Sequence, residues 1–298
     1  MTDLLSPLGT GRARLRELLA APTPLVAPGA YDALTARLVA EAGFDAVYMT
    51  GFGTTASLLG RPDVGLLGQA EMVDNVRRMA GVVDVPLIAD ADTGYGNAVN
   101  VIRTVREYEQ AGVAALHLED QVSPKRCGHL AGKEVVPVGE MVAKIEAAVA
   151  ARTDPDLVLI ARTDVAQVEG VDAGIARARR FADAGADVLF VEAPTSEADI
   201  EKVATELAGF PLVFNGAEGG RTPPLSLERL TELGFSLVLY PIATLLAATA
   251  GVQTVLARLR REGTPTAALE GAPGLDDIAG MLGLDEVRSL QERFGPRD

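Results

Sequence analysis

Eight short apolar runs, introduced in turn by a proline and by a glycine, constrain the fold more than any other feature. The introducing residues are, in chain order, Pro24, Gly43, Pro86, Gly112, Pro155, Gly185, Pro211 and Gly234. Proline is tolerated at the first residue of a strand, and glycine just past a helix can adopt the left-handed conformation that ends it. Runs rich in Val, Leu and Ile are typical of strands buried on both faces of a parallel sheet. The pattern therefore predicts eight buried parallel strands.

Helical patterns lie between these strands. The clearest cover residues 69–80, 98–110, 138–151, 172–184 and 196–207, and a short leading helix is predicted over 9–20. Strands that alternate with helices predict an α/β fold, here a (β/α)8 barrel of the TIM type over residues 1–262. A doubly wound open sheet is the alternative. The strict alternation of the two strand types favours the barrel, because alternate strands fill successive layers inside a barrel.

The chain continues beyond the predicted barrel. A connector rich in Gly, Pro, Thr and Ala covers 263–274, and a final amphipathic helix is predicted over 275–294. A detached amphipathic helix needs a surface that buries its apolar stripe. Residues 263–298 are therefore predicted to form a linker and a helix that packs on its own barrel or on a neighbouring subunit.

Charge and cysteine content narrow the class of protein. Lys and Arg number 27 and Asp and Glu 41, which gives a net charge of −14. This charge repels phosphate backbones and anionic lipid, so we expect neither a nucleic-acid nor a membrane partner. No window approaches the roughly 20 apolar residues that span a bilayer. The single cysteine excludes an internal disulfide, and the N-terminus lacks a secretory pattern, so a cytoplasmic location is predicted.

Polar residues follow the predicted strands at the end where a barrel carries its active site. They are Tyr48, Thr50, Asp90, Asp92, His117, Glu119, Arg162, Asp164, Glu192 and Asn215. Residues two apart share one side of a strand, so Asp90 is expected to pair with Asp92, and His117 with Glu119. Asp90, Asp92 and Glu119 form an oxygen-rich set that suits Mg²⁺, or Mn²⁺, better than Zn²⁺. Alternatively, these acids cap the following helices.

Arg162 ends an apolar run and needs an anionic partner if it is buried. A substrate carboxylate is one candidate, and an ion pair with Glu192 or Asp164 is the alternative. The arginines of 177–180 are interpreted as an exposed helix face. The glycine-rich turns 50–53, 94–98 and 215–220 match neither a P-loop nor a dinucleotide fingerprint, so no nucleotide cofactor is predicted.

A long segment over 120–137 carries the only cysteine, Cys127, beside Lys125, Arg126 and His129. Connections of this length are often functional lids. Cationic neighbours favour the thiolate form, so a reactive thiol is predicted here, against the alternative of an inert one.

Five motifs together resemble the isocitrate lyase/phosphoenolpyruvate mutase superfamily. They are DADTGYGN (90–97), HLEDQ (117–121), KRCGH (125–129), ARTD (161–164) and EGG-TP (218–223). Within it, the chain is similar to the branch that contains methylisocitrate lyase, 2,3-dimethylmalate lyase and carboxyvinyl-carboxyphosphonate phosphorylmutase.

The resemblance implies a (β/α)8 barrel in a homotetramer, a dimer of dimers, with the C-terminal helix exchanged between subunits. It also implies Mg²⁺ bound through Asp92, with Asp90 and Glu119 acting largely through water. A 2-oxo-acid portion would lie against residues 48–51 and Arg162, and the KRCGH loop would close over it. In the lyases of the family, the cysteine at the position of Cys127 protonates the departing carbanion.

The implied activity is a Mg²⁺-dependent carbon–carbon lyase that cleaves a 2-hydroxy dicarboxylate, of the 2-alkylmalate or methylisocitrate type, to a 2-oxo acid and a carboxylate. A divalent ion stabilises the developing oxyanion, and a thiol on the other side quenches the carbanion. The predicted catalytic residues are Cys127, Tyr48 (the candidate base), His129, Lys125 and Arg126. The predicted substrate contacts are Thr50, Gly51, Phe52, Asp63, His117, Arg162, Glu192, Asn215 and Glu218.

Two departures from the family pattern bear on the substrate. Phe52 stands where the methylisocitrate lyases carry a glycine, and NGAEGG (215–220) replaces their usual sequence. Both favour a smaller 2-alkylmalate over a tricarboxylate. The alternatives are a carboxyvinyl-carboxyphosphonate phosphorylmutase, an oxaloacetate decarboxylase or hydrolase, and a non-catalytic barrel that binds a small acid.

Overall fold

The computed structural model describes residues 4–5, 9–128 and 132–296. They fall into two compact units, one that ends at Leu245 and one that contains Leu246 onward together with residues 4–5. The predicted boundary at residue 262 stays a prediction. None of the described helices combines the length and apolar character needed to cross a membrane.

The first unit contains the eight predicted strands. They are β1 (Leu25–Ala30), β2 (Val47–Met49), β3 (Leu87–Asp90), β4 (Ala115–Glu119), β5 (Val158–Thr163), β6 (Val188–Val191), β7 (Val213–Asn215) and β8 (Leu237–Tyr240). The strands are parallel, in the order β6-β5-β4-β3-β2-β1-β8-β7. A further parallel bridge joins Leu189 to Leu212, next to β7, so the sheet comes close to closing on itself. The predicted (β/α)8 barrel is confirmed, and the open sheet is not observed.

Helices connect the strands. They are α1 (Arg12–Leu19), α2 (Ala33–Glu41), α3 (Gly51–Leu59), α4 (Gln69–Ala80), α5 (Ala98–Ala111), α6 (Val138–Ala151), α7 (Ala166–Glu169), α8 (Val171–Asp183), α9 (Glu197–Glu206) and α10 (Leu227–Glu232). The predicted glycine stops act as expected. At the end of α5, Gly112 adopts φ 103°, and its N–H donates to the Glu109 carbonyl. This left-handed conformation is the one that a side chain disfavours.

Two apolar clusters lie on opposite faces of the barrel sheet. The inner cluster uses alternate strand residues, such as Tyr48, Ile88 and Ile160, and is joined by Leu15 and Leu19 of α1. The outer cluster packs the other strand residues against the helices. Because strand side chains alternate, residues two or four positions past an inner-cluster residue also face the barrel interior. This alternation decides which polar residues reach the mouth of the barrel.

The helix α11 (Ala243–Glu262) starts at the end of the first unit and continues into the second. The second unit also contains a 3₁₀ turn (Thr266–Ala268), α12 (Leu275–Met281) and α13 (Leu284–Phe294). The prediction of one helix over 275–294 is wrong, because Gly283 with φ 85° separates α12 from α13. None of these three helices contains a buried residue.

Candidate active site

A cavity of about 260 Å³ opens at the carboxyl ends of the strands. Most of the predicted catalytic and substrate-contacting residues line it. They are Tyr48, Thr50, Phe52, Asp63, Lys125, Cys127, Arg162, Glu192, Asn215 and Glu218, together with Asp90 of the predicted metal set. Many continue the inward alternation of their strands, as Asp90 does two residues after Ile88 of the inner cluster.

Asp90, His117 and Glu119 form a candidate metal site. One ligand atom from each lies within 4.8 Å of the others, and all three residues are buried. Sheet register creates the group, because Asp90 of β3 lies opposite His117 of β4. Among the described residues, no hydrogen-bond partner reaches Glu119 Oε1. A buried carboxylate oxygen without a partner is costly, and two carboxylates with an imidazole suit a divalent cation. The residues therefore fit such an ion.

Asp92, predicted to share a side with Asp90, lies just beyond β3. Its backbone leaves the strand at φ 47°, and its N–H donates to Asp90 Oδ1 at 2.9 Å. Strand alternation, the reason given for the predicted pairing, therefore does not extend to Asp92, and a backbone hydrogen bond joins the two residues instead. Its Oδ1 atom lies 2.7 Å from Lys125 Nζ, which also contacts Asp63 Oδ2 at 2.6 Å. Whether Asp92 or His117 completes the ligand set with Asp90 and Glu119 stays a matter of prediction.

Burial sets the protonation of this group. It raises the pKa of Asp92 to about 7, and it raises that of Glu119 well above its usual value. Burial alone would lower the pKa of Lys125, but the carboxylates of Asp92, Asp90 and Asp63 outweigh it and raise that pKa well above normal. Lys125 is therefore a permanent cation that neutralises part of the acidic cluster.

Tyr48 and His117 form a buried hydrogen-bonded pair, with 2.8 Å between the Tyr48 hydroxyl and His117 Nε2. Burial lowers the pKa of His117, so the imidazole is neutral. Burial, followed by the Asp90 charge, raises the pKa of Tyr48 well above 10. In this arrangement Tyr48 holds its proton, and its assignment as the base remains a prediction.

The guanidinium of Arg162 lies at the wall of the cavity. Its Nε and Nη2 atoms donate to the two oxygens of Asp164 at 2.9 and 3.0 Å. Its Nη1 atom lies 3.3 Å from Glu119 Oε2, and Glu119 is its register partner on β4. Of the two ion pairs considered from the sequence, the one with Asp164 is the closer, since Glu192 Oε2 is 3.7 Å away. The guanidinium still lines the cavity, so it can also face a substrate carboxylate.

The segment after β4 places Cys127 at the cavity wall, where it is half-buried. Its backbone N–H donates to the Asp63 carbonyl at 3.1 Å. Gly128 packs so closely that a Cβ there would lie 2.6 Å from Glu192 Oε1 and closer still to Arg162 Nη2. Arg126 is exposed and is not part of the wall, and His129 lies outside the described residues. Of the predicted basic neighbours, Lys125 alone is seen to reach the cavity.

The far end of the cavity is less polar. Phe52, Ala217, Pro241 and Ile242 line it, and Glu218, which also lines the cavity, accepts through Oε2 from the Ile242 N–H at 3.1 Å. Asn215 donates to both oxygens of Glu192 at 3.2 Å. This wall offers space for an apolar group beside the charged end.

Several contributors were not predicted from the sequence. Gly128, Ala217, Pro241 and Ile242 line the cavity, and Lys133 supports it from behind. Gly128 and Ala217 lie inside the KRCGH and NGAEGG motifs but were not predicted as lining residues, and no motif signals Pro241, Ile242 or Lys133. The interpretation of 177–180 as an exposed face is wrong at Arg177, which donates to Asp120 Oδ2 at 3.0 Å and to the Val136 carbonyl at 2.8 Å.

The alternative that the acids cap helices is also wrong. Asn97 caps α5, since its side chain accepts from the Val99 and Asn100 N–H groups. Pro137 precedes α6, so Glu119 has no capping role there.

Comparisons with known proteins give the family. Residues 15–260 match the family model for phosphoenolpyruvate phosphomutase. The chain is 44% identical to 2,3-dimethylmalate lyase of Eubacterium barkeri over 282 residues, which are 95% of this chain and 97% of that protein. It is 47% identical to a probable 2-methylisocitrate lyase of Corynebacterium glutamicum over 257 residues, 86% of this chain and 84% of that protein.

A crystal structure of 2,3-dimethylmalate lyase, a member of the PEP mutase/isocitrate lyase superfamily, superposes with a TM-score of 0.91 at 41% identity and covers 97% of both chains. The prediction of a carbon–carbon lyase of this kind is confirmed by these relatives. The chain belongs to the PEP mutase/isocitrate lyase superfamily.

Proposed function

We propose that this enzyme cleaves a 2-alkylmalate, with Mg²⁺ as its metal, to a 2-oxo acid and a carboxylate. One observation carries the proposal: a single cavity is lined by Asp90, a member of the buried cluster fit for a divalent cation, by Arg162 and by the only thiol of the chain. Carbon–carbon cleavage needs an electron sink at the hydroxyl end and a proton donor at the leaving carbon.

The residues divide these tasks. Asp90 and Glu119, with His117 or Asp92, hold the ion, and Arg162 faces the substrate carboxylate. When bound, Mg²⁺ stabilises the negative charge that develops on the substrate hydroxyl oxygen.

Two protons move during the proposed reaction, one from the substrate hydroxyl and one from the Cys127 thiol. The hydroxyl gives up its proton to solvent, its carbon becomes the 2-oxo carbon, and the electron pair of the broken carbon–carbon bond moves to the leaving fragment. The Cys127 thiol donates its proton to that carbanion, forms the new C–H bond and is left as a thiolate, which takes up a proton before the next turnover. The Gly128 packing against Arg162 keeps the thiol-bearing segment beside the reacting carbons.

The cavity wall favours a small substituent. Phe52, Ala217, Pro241 and Ile242 offer an apolar surface and no side-chain donor. An extra carboxylate placed there would lose its hydration without gaining a partner, which is unfavourable. A 2-alkylmalate is therefore preferred over a tricarboxylate such as 2-methylisocitrate.

The test is a substrate panel. Purified protein with Mg²⁺ is given 2-alkylmalates, 2-methylisocitrate and oxaloacetate, and the release of 2-oxo acid is followed. Alkylmalates should be cleaved fastest, and Cys127→Ser should lower kcat by about 10²-fold or more, as loss of a general acid does. No release from any acid, or full activity of Cys127→Ser, would refute the proposal. A new phosphorus–carbon signal by phosphorus NMR from a carboxyphosphonoenolpyruvate would favour the mutase instead.

We also propose a cytoplasmic location, which is consistent with a lone cysteine.

We further propose a homotetramer in which the C-terminal segment packs on a neighbouring subunit. In support, Leu246, Val252, Leu256 and Leu259 of α11 are each at least 40% exposed. Exposed apolar patches of this kind mark interfaces. Sedimentation equilibrium should give four times the 31.1 kDa chain mass, and a monomer at micromolar concentration would overturn the proposal.

A further inference from the structure

The described part of the segment that carries Cys127, residues 121–128 and 132–136, is here called the cysteine loop. Its base is tied by backbone hydrogen bonds, from the Val122 N–H to the Glu134 carbonyl and from the Val136 N–H to the Asp120 carbonyl, both at 2.8 Å. These bonds fix the two ends of the loop. Cys127 lies well away from this base along the chain, and its own backbone N–H donates to the Asp63 carbonyl at 3.1 Å.

The carbonyl of Gly128, the residue next to Cys127, accepts two side-chain donors. Lys133 Nζ reaches it from within the loop. Gln167 Nε2, from α7 behind β5, reaches it at 3.0 Å. Because Gly128 also packs against Arg162 and Glu192, these two hydrogen bonds hold Gly128, and with it Cys127, beside the cavity.

A second contact of Lys133 Nζ connects the cysteine loop to Arg162. Lys133 Nζ lies 2.8 Å from Asp164 Oδ1, and the same oxygen accepts from Arg162 Nη2 at 3.0 Å. The Lys133 side chain is 1% exposed and that of Asp164 0%. A buried carboxylate shared between two buried cations holds both in place, since no other carboxylate of the described residues lies as close to either cation. An unbroken chain of contacts therefore runs from Arg162 through Asp164 and Lys133 to Gly128.

We propose that Lys133 and Gln167 are positioning residues that hold Cys127 over the cavity through the Gly128 carbonyl, and that Asp164 couples this hold to Arg162. An acid bound at Arg162 then favours the seated position of Cys127, and a seated Cys127 favours the bound acid, because such coupling is reciprocal. The inference rests on the proposed function only for the chemistry that Cys127 performs.

Gln167 is the residue to change, because it is neutral and half-buried and its removal leaves no buried charge unpaired. Gln167→Met keeps the length of the side chain and removes the donor. The reporter is alkylation of the only cysteine by iodoacetamide, since a single rate then describes a single site. One lost hydrogen bond should raise the alkylation rate about two- to twelve-fold. Oxalate with Mg²⁺, as a probe that offers two carboxylates to Arg162 and the metal site, should slow alkylation less in Gln167→Met than in the unmodified protein.

The matched control is Gln110→Met, an exposed glutamine at the end of α5 that does not line the cavity. It should alkylate at the unmodified rate. Lys133→Arg, which keeps the charge, should alkylate more slowly than Lys133→Met. Circular dichroism checks that each variant is folded.

Equal alkylation of folded Gln167→Met and unmodified protein would overturn the inference, and so would a lower melting temperature with no change in alkylation. In the lyase assay, Gln167→Met should lower kcat, because the Cys127 thiol is held less firmly over the cavity, and should raise KM, because an unseated Cys127 no longer favours the bound acid. Alkylation needs no turnover, so a protein that cleaves none of the tested acids still decides this inference separately.

Discussion

Gly51→Ala should separate metal binding from folding. Gly51 is the first residue of α3, directly after the cap Thr50, and Asp90 lies against it. A Cβ at this position would lie 3.0 Å from Asp90 Cγ and closer still to Oδ2, whereas ordinary contact begins at 3.4 Å. The Asp90 carboxylate must therefore retreat from the place in which it faces His117 and Glu119.

The size of the effect follows from that retreat. Clearing the new methyl group moves Asp90 Oδ2 by about 1 Å, and a misplacement of that size at a reacting centre costs about 10²-fold in rate. Folding is affected in the opposite direction. The φ of Gly51 lies outside the left-handed region, and alanine in a helix is favoured over glycine by about 0.5–1 kcal/mol. That gain offsets part of the strain, so the variant should fold.

The assays are calorimetric titration with Mg²⁺ or Mn²⁺, lyase rate and thermal unfolding. Gly139→Ala is the matched control, since Gly139 lies in the first turn of α6 and a Cβ there meets nothing within 4 Å. Gly51→Ala should lose metal affinity and activity with little change in melting temperature, and Gly139→Ala should keep both. Unchanged metal binding by Gly51→Ala would refute the assignment of Asp90 as a ligand held in place by close packing.

Three further predictions address charge. Mg²⁺ binding at pH 7 should release protons, because burial holds the pKa of Glu119 well above its usual value and a metal ligand must be ionised. The affinity for Mg²⁺ should therefore rise with pH. A binding heat that is the same in Tris and phosphate buffers would contradict proton release. Asp164→Asn should destabilise the protein by about 3–5 kcal/mol in urea, as buried cations lose their partner, whereas Asp285→Asn, at an 87% exposed side chain, should be near neutral. Arg177→Met should cost about 1–3 kcal/mol by leaving buried Asp120 short of a donor, and a loss no larger than that of exposed Arg179→Met would argue against it.

The regular elements were predictable because their signals are local and repeated. The bounds of α4 and α6 agree with the predicted 69–80 and 138–151, since an apolar stripe of helical period ends at a glycine or a polar residue. The site residues on β3 to β6 were predictable for a related reason. Strand alternation places each polar residue at a strand end on the same face as the inner apolar residues, and the barrel rule says which end carries the chemistry.

Other features depend on contacts that sequence spacing does not encode. The turn at Asp92 takes φ 47°, so alternation fails two residues after the strand ends. Gln167 reaches Gly128 across 39 positions of chain, and Lys133 shares Asp164 with Arg162 across 31. A glutamine on a four-residue helix has no pattern of its own, and its role exists only where the cysteine loop passes over β5.

The balance between buried carboxylates and buried cations links the metal site, Arg162 and Cys127. Among the described residues, six buried carboxylates line or adjoin the cavity: Asp63, Asp90, Asp92, Glu119, Asp164 and Glu192. Three buried cations face them, Lys125, Lys133 and Arg162, so the fully ionised group carries an excess of three negative charges (3 − 6). Like charges in a medium of low dielectric disfavour ionisation, and the raised pKa values of Glu119 and Asp92 reflect this together with burial. A dicarboxylate, the substrate class that we propose, would add two more negative charges, so its entry would be unfavourable until a divalent cation or protons compensate. On the proposed function, the acidic excess that would repel a dicarboxylate would make metal binding a condition of substrate binding, and it would tie the cation, the arginine and the thiol into one site.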